Sequence, residues 1–252
     1  MVIEMVVLPY ELNLSLQEYF YFQECPMKFR IHRILNPIPF QSVFQSREYS
    51  IEQYRLRGYP DYILEGIELH VFFKNFYEQH YHSIASNKIP IALENDTKKR
   101  LFWLKQRERY QLLHDKDLWL PYERELKLMT EKQRGKIDCI EFCANGQGLR
   151  VVDYKPQPSE TDEETVLFYS NLLFEYDLEN DLDIPEITEV GCYYYNLGKY
   201  TIKRITKEQL QQISERVSSV LEEISKENFS LDKSTCDKCS YPNVCKIEQM
   251  RM

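Results

Sequence analysis

With 252 residues, 43% apolar and 13% aromatic side chains, the chain can build a folded core and is not a disordered polypeptide. A formal charge of −8 excludes a globally basic nucleic-acid binder, so any nucleic acid has to be met by a local basic patch. No run approaches the roughly 18 apolar residues of a membrane span. The opening MVIEMVVLP carries Glu4 and makes a poor secretory signal, so a cytoplasmic protein without membrane contact is expected. In that reducing compartment the seven cysteines would not form a disulfide framework.

In chain order, Ser15-Leu-Gln-Glu18 is a capping box that opens a helix running to about Glu24. Cys25-Pro26 interrupts it and the basic helix MKFRIHRI follows. Residues 36–62 are rich in proline, serine and aromatics and read as an irregular connector. A helix over about 64–83 carries the stripe Leu69, Phe72, Phe73, Phe76 and Tyr77, a core face. His70 lies on its flank, where it could face a cleft. A third helix, about 97–118, carries Lys98, Lys99, Arg100, Lys105, Arg107 and Arg109 interleaved with Phe102 and Trp103. Such a face could track phosphates while a ring stacks on bases. It also reads as a solvated surface, since Glu108, Asp115 and Asp117 share the segment.

From Tyr122 the pattern turns to strands, then to a helix over 162–179 with Leu167, Phe168, Leu172 and Leu173 inward. Strands follow at 187–197 and 199–205, and a second capping box at Thr206/Gln209 opens a final amphipathic helix. The order predicts an α/β or α+β chain: a sheet core flanked by helices, with a helical cap.

The most informative stretch is Gly135–Pro156. Two apolar runs flank Asn145-Gly146, a hairpin signature. A two-residue turn there places Asp138 opposite Asp153, and alternation puts Asp153 and Lys155 on one face. Like charges directly opposite are destabilising. A divalent cation between the carboxylates removes the conflict, because hard oxygen ligands suit Mg²⁺ or Mn²⁺. Cys139 and Cys143, facing away from Asp138, read with Cys192 as small core residues. Glu125, on the preceding strand, reads as a solvated charge or as a support behind the site. Cys236-x2-Cys239-x5-Cys245 needs one more thiolate to complete a Cys₄ site, with Cys25 the best candidate; spacing alone leaves zinc and an iron–sulfur cluster open.

The string Asp138, fourteen residues, Asp153-x-Lys155 resembles the PD-(D/E)XK nuclease superfamily, and G-K-I-D, V-V-D-Y-K and the upstream E-L-H resemble its RecB-like branch. The resemblance spans about Ser15 to Cys245 and implies a restriction-endonuclease-like mixed β-sheet. It divides the chain into a cysteine subdomain (15–35 with 227–252), a helical region (64–120) and a nuclease core (121–205).

By the same resemblance, His70, Asp138, Asp153 and the backbone carbonyl of Tyr154 would hold Mn²⁺ or Mg²⁺. Lys155 would orient or deprotonate the attacking water. The branch also carries Gln-x-x-x-Tyr on the following helix; Tyr169 matches as a DNA contact or a packing residue, whereas Thr165 stands where glutamine is expected. One N-terminal and three C-terminal cysteines around such a core resemble the iron–sulfur nucleases, implying a [4Fe–4S] cluster on Cys25, Cys236, Cys239 and Cys245 that joins the two ends of the chain.

The compact length resembles the CRISPR-associated exonuclease family. That implies trimming of single strands or strand ends for spacer acquisition beside the CRISPR integrase complex. Lys98, Lys99 and Arg100, on the basic third helix outside the motifs of that resemblance, are expected from their charge as further DNA contacts. The alternatives are a repair or recombination nuclease and a non-catalytic DNA-binding subunit.

Overall fold

The computed structural model describes residues 13–35, 51–144, 146–242 and 245. The elements run α1 (Leu16–Glu24), α2 (Pro26–Leu35), α3 (Ile51–Leu56), α4 (Asp61–Ala85), α5 (Ile91–Glu94), α6 (Thr97–Leu113), α7 (Lys116–Trp119), β1 (Glu123–Met129), β2 (Arg134–Phe142), β3 (Leu149–Lys155), α8 (Asp162–Asn180), β4 (Ile187–Tyr194), β5 (Lys199–Arg204) and α9 (Lys207–Ser225). A short 3-10 turn, Lys233–Lys238, precedes the last cysteines.

Both capping boxes form at the expected residues, Ser15/Glu18 on α1 and Thr206/Gln209 on α9. Glu18 does more than cap. Its carboxylate also takes Arg134 of β2 at 2.8 Å and Arg33 of α2 at 2.6 Å, tying the N-terminal helices to the sheet.

Two segments differ from the sequence reading. The connector contains α3, although residues 36–50 lie outside the described part. The single helix expected over 97–118 is two helices. His114 takes a left-handed conformation (φ 53°) that ends α6, and Asp115 caps α7 through the N–H groups of Asp117 and Leu118. The buried Arg109 guanidinium secures this corner by donating to the carbonyls of Leu118 (3.0 Å), Trp119 and Phe142 (3.1 Å).

The five strands lie in the order β1-β2-β3-β4-β5. Only β3 and β4 pair in parallel, because α8 carries the chain back across the sheet between them. This is a mixed sheet flanked by helices. On one face α8 packs with α1, α2 and α9 over Val190, Cys192 and Tyr194, and over Ile140, Leu149 and Val151. On the other, α4, α6 and α7 pack over Cys139, Val152, Tyr154 and Tyr193. Under that second face Glu141, fully buried, is held between Arg109 (3.5 Å) and Arg150 (3.4 Å).

The β2–β3 hairpin keeps the predicted register, with Cys139 opposite Val152 and Phe142 opposite Leu149. Its connection is longer than two residues: the Cys143 N–H reaches Gly148 O at 3.1 Å, and Asn145 lies outside the described residues.

Strict alternation fails at one place on β2. Ile137 and Ile140 both pack on the α8 side, whereas Cys139 between them faces α4. A regular strand would point residues three apart to opposite faces, so the strand turns over at Asp138. The neighbouring strand turns with it: β1–β2 pairing skips Glu125 and Asp138, and Glu125 has φ 53° in mid-strand. The β2–β3 ladder also stops at Cys139, one position short of the two aspartates. The sheet parts where the acidic residues stand.

Candidate metal and catalytic site

Four elements supply the side chains around this opening. His70 comes from the middle of α4, Glu125 from β1, Asp138 from β2, and Asp153 with Lys155 from the end of β3. The α4 stripe buries Leu69, Phe73, Phe76 and Tyr77, which fixes the helix against the sheet and leaves His70 at its margin. Its imidazole lies edge-on to Tyr154, ring centres 5.8 Å apart.

His70 Nδ1 is 3.4 Å from Asp138 Oδ1 and 3.8 Å from Glu125 Oε1. Ligand atoms of His70, Glu125 and Asp138 all lie within 4.8 Å of one another, close enough for one ion. The other Asp138 oxygen accepts the Tyr154 N–H at 2.9 Å, so this carboxylate spans the gap between β2 and β3. Asp153 lies outside the tight group of three. It follows Val151 on the α8 side, where its charge is felt by Tyr169 and Cys192, and its Oδ2 is 3.0 Å from Lys155 Nζ. Asp138 thus meets His70 and the Tyr154 N–H while Asp153 meets Lys155, and the two aspartate charges still reach each other.

The electrostatics match this crowding. Burial, and then the Asp138 charge, push the Asp153 carboxyl up to about 6 against the opposing pull of Lys155. Burial alone would push His70 down, but Asp138 and Glu125 overcome it and raise the imidazole to about 10. Glu125 is held below the usual carboxylate range despite its burial, by His70 and by Lys136, whose ammonium it contacts closely.

One buried oxygen here, Glu125 Oε1, lacks a hydrogen-bond partner, whereas the buried Asp153 Oδ2 meets the Lys155 ammonium at 3.0 Å. Buried carboxylate oxygens are ordinarily satisfied. A hard divalent ion taking oxygen ligands and one imidazole suits this donor set.

Glu125 is the residue the sequence undervalued. Its left-handed conformation leaves no trace in residue type, since glutamate is not a residue that favours φ > 0. What could have flagged it is its place directly across β1–β2 from Asp138.

Tyr169 packs its ring toward Gly135, where an added Cβ would lie 3.0 Å from it, and its hydroxyl is affected by Asp153 and Asp138. Thr165 is buried at 1% exposure and faces the core.

On α6, Lys98 is paired with Glu65 (2.5 Å) and lies over the Tyr195 ring, which follows β4 beside Lys155. Lys99 pairs with Asp96 at 2.9 Å, and Arg100 is exposed. Phe102 and Trp103 are buried core residues that no base can reach, which corrects the stacking expected of them; Arg109 is likewise structural.

Of the cysteines, Cys25 and the three nearest the end of the sequence lie apart from the sheet residues Cys139 and Cys192. Cys25 and Cys245 are buried in one cluster with Met27 and Ile31, Cys239 is half-buried and Cys236 is exposed. Burial and then Cys245, Cys239 and Cys25 raise the Cys236 thiol, which places it within electrostatic reach of the other three sulfurs. Among the described residues they do not close to the tight ligand distances of the His70 group.

The family model of the PD-(D/E)XK nuclease superfamily matches residues 13–246. No curated protein matches the chain.

Proposed function

Because the chain belongs to the PD-(D/E)XK nuclease superfamily, we propose that it is a deoxyribonuclease that hydrolyses phosphodiester bonds of single strands or strand ends with Mn²⁺ or Mg²⁺. The observation that carries the reading is the convergence of His70, Glu125, Asp138, Asp153 and Lys155 on a gap in the sheet, with the buried Glu125 Oε1 lacking a hydrogen-bond partner. His70, Asp138, Asp153 and the Tyr154 carbonyl would hold the ion. When bound, such an ion polarises a phosphoryl oxygen and lowers the pKa of a water.

Lys155 orients the attacking water or takes its proton, and its charge offsets that building on the phosphoryl oxygens. Asp153 holds Lys155 at 3.0 Å and so fixes where that charge sits. Tyr169 and Lys98, on either side of the opening, contact the incoming strand; Lys99 and Arg100 extend that path.

A [4Fe–4S] cluster on Cys25, Cys236, Cys239 and Cys245 is supported by the reach of Cys236 to the other three sulfurs and by the burial of Cys25 with Cys245. It would fasten the two ends of the chain, since binding energy at such a site is folding energy. The cysteine pairing around a compact nuclease supports a role in trimming DNA ends for CRISPR spacer acquisition beside the integrase complex. A repair or recombination nuclease is the nearest alternative. The burial of Thr165, where the branch carries glutamine, favours a second reading: a DNA-binding subunit without turnover.

Cleavage of labelled single-stranded DNA in Mn²⁺ separates these, with Asp153→Ala and Lys155→Ala as controls. Wild-type cleavage lost in both variants supports the nuclease; DNA binding without cleavage in all three leaves the binding subunit. For the cluster, an anaerobic preparation absorbing at about 400 nm and bleached in Cys239→Ala is expected; a colourless zinc protein refutes it.

A further inference from the structure

A cavity of about 340 Å³ lies beside the catalytic residues and has no part in the reading above. It exists because α8 packs over β3 and β4, whereas β5 is the edge of the sheet and leaves Thr201 and Lys203 exposed beyond the helix. The floor is apolar, made by Val166 of α8 with Val190 and Cys192 of β4, all buried. An apolar floor with a few polar groups around it is the common form of a small-ligand subsite.

The β3–β4 ladder fixes where the cavity stands. Cys192 is directly opposite Asp153, and Tyr194 directly opposite Lys155. Residues so paired share one face of the sheet, with their strands about 4.8 Å apart. Both β4 residues line the cavity. Its wall is closed by the buried Asp162, which accepts from the Tyr194 hydroxyl at 2.9 Å and from the Ser159 N–H and hydroxyl, each at 2.7 Å. The cavity therefore opens one strand away from Lys155, within reach of a base whose phosphate is at the lysine.

Charge decides which part of a nucleotide enters. Glu160 and Glu163 stand on the rim, and carboxylates there turn phosphate away. Glu163 is taken by Lys203, whereas among the described residues the Glu160 carboxylate has no ion-pair partner. An ionised carboxylate only accepts hydrogen bonds. On a base it pairs with an exocyclic amine, as glutamate does with N4 of cytosine. Thymine carries a carbonyl at that place.

We propose that this cavity holds the base of the nucleotide whose phosphate is cut, and that Glu160 selects a base bearing an exocyclic amine over thymine. This rests on the nuclease reading and adds a base preference to it.

Mn²⁺-dependent cleavage of oligodeoxycytidylate and oligothymidylate of equal length tests it, since the two pyrimidines match in size and differ at this group. The wild type should favour oligodeoxycytidylate by about 10-fold in kcat/KM, the scale of one good base contact. Glu160→Lys replaces an acceptor by a donor and should reverse the preference; a general gain in DNA affinity raises both substrates alike and leaves the ratio unmoved. Thr201→Trp fills the cavity from the exposed edge strand and should bring the ratio to about one, with Mn²⁺ affinity by electron paramagnetic resonance unchanged. A wild type that cuts both substrates equally, or prefers thymidylate, overturns this inference alone. So does a cytidylate preference that survives either variant. A wild type that binds both strands and cuts neither overturns the nuclease reading with it.

Discussion

Replacing Asp153 by asparagine should make the metal-free protein more stable at pH 7.5. Asp153 is buried, and burial with the nearby Asp138 charge lifts its carboxyl from 3.8 to about 6. Since the folded value lies above the unfolded one, ionisation above pH 6 works against folding; that penalty fades as pH falls from about 6 toward 4. The interval is equivalent to about 3 kcal/mol once the group is fully ionised. Asparagine removes the charge; the attraction of Lys155, 3.0 Å away, is already part of the net shift, so no separate loss is subtracted.

The gain of about 3 kcal/mol corresponds to a Tm increase of about 6–12 °C for a chain of this size. Calorimetry in EDTA at pH 7.5, 6 and 5 should show the difference shrinking with pH. Mn²⁺ at about 1,000 times its Kd should then reverse the order, since it stabilises the wild type by about 4.1 kcal/mol. A variant less stable than wild type in EDTA at pH 7.5, or a gain indifferent to pH, refutes the argument.

Three further outcomes are expected. The His70 imidazole, raised to about 10 by Asp138 and Glu125 against its burial, contributes stability that is complete below pH 6.5 and lost as pH rises through 10; His70→Gln should flatten the metal-free Tm profile across that window. Lys155→Met should lower Mn²⁺-dependent cleavage by about 10²-fold or more while Mn²⁺ affinity, read by paramagnetic resonance, changes only a few-fold. Glu141→Gln removes the charge shared by the buried Arg109 and Arg150 and should cost about 3–5 kcal/mol in denaturant unfolding without altering metal affinity.

What the chain states in its own text is local or periodic. The capping boxes at Ser15 and Thr206 involve residues three apart, and the α4 stripe repeats with the helical turn, so each is readable without a partner. The hairpin register is readable too, because a buried face tolerates no one-residue slip; it survives a connection longer than two residues. Cys139 lies in the core as expected, but on the α4 side where Asp138 meets His70, so alternation from Asp138 does not fix its face.

Tertiary packing decided the rest. Phe102, Trp103 and Arg109 sit among charges in sequence, yet α4 and the sheet cover them; only the assembled layers show which side of α6 is dry. His114 carries no strong stop signal, and α6 ends there because Arg109 holds the following turn against β2. The candidate site shows the same division. Asp138, Asp153 and Lys155 are legible as a pattern along two strands. The local reversal of β2, the strained backbone of Glu125 and the meeting of His70 with both appear only when three strands and a helix are brought together, because each depends on neighbours far apart in the chain.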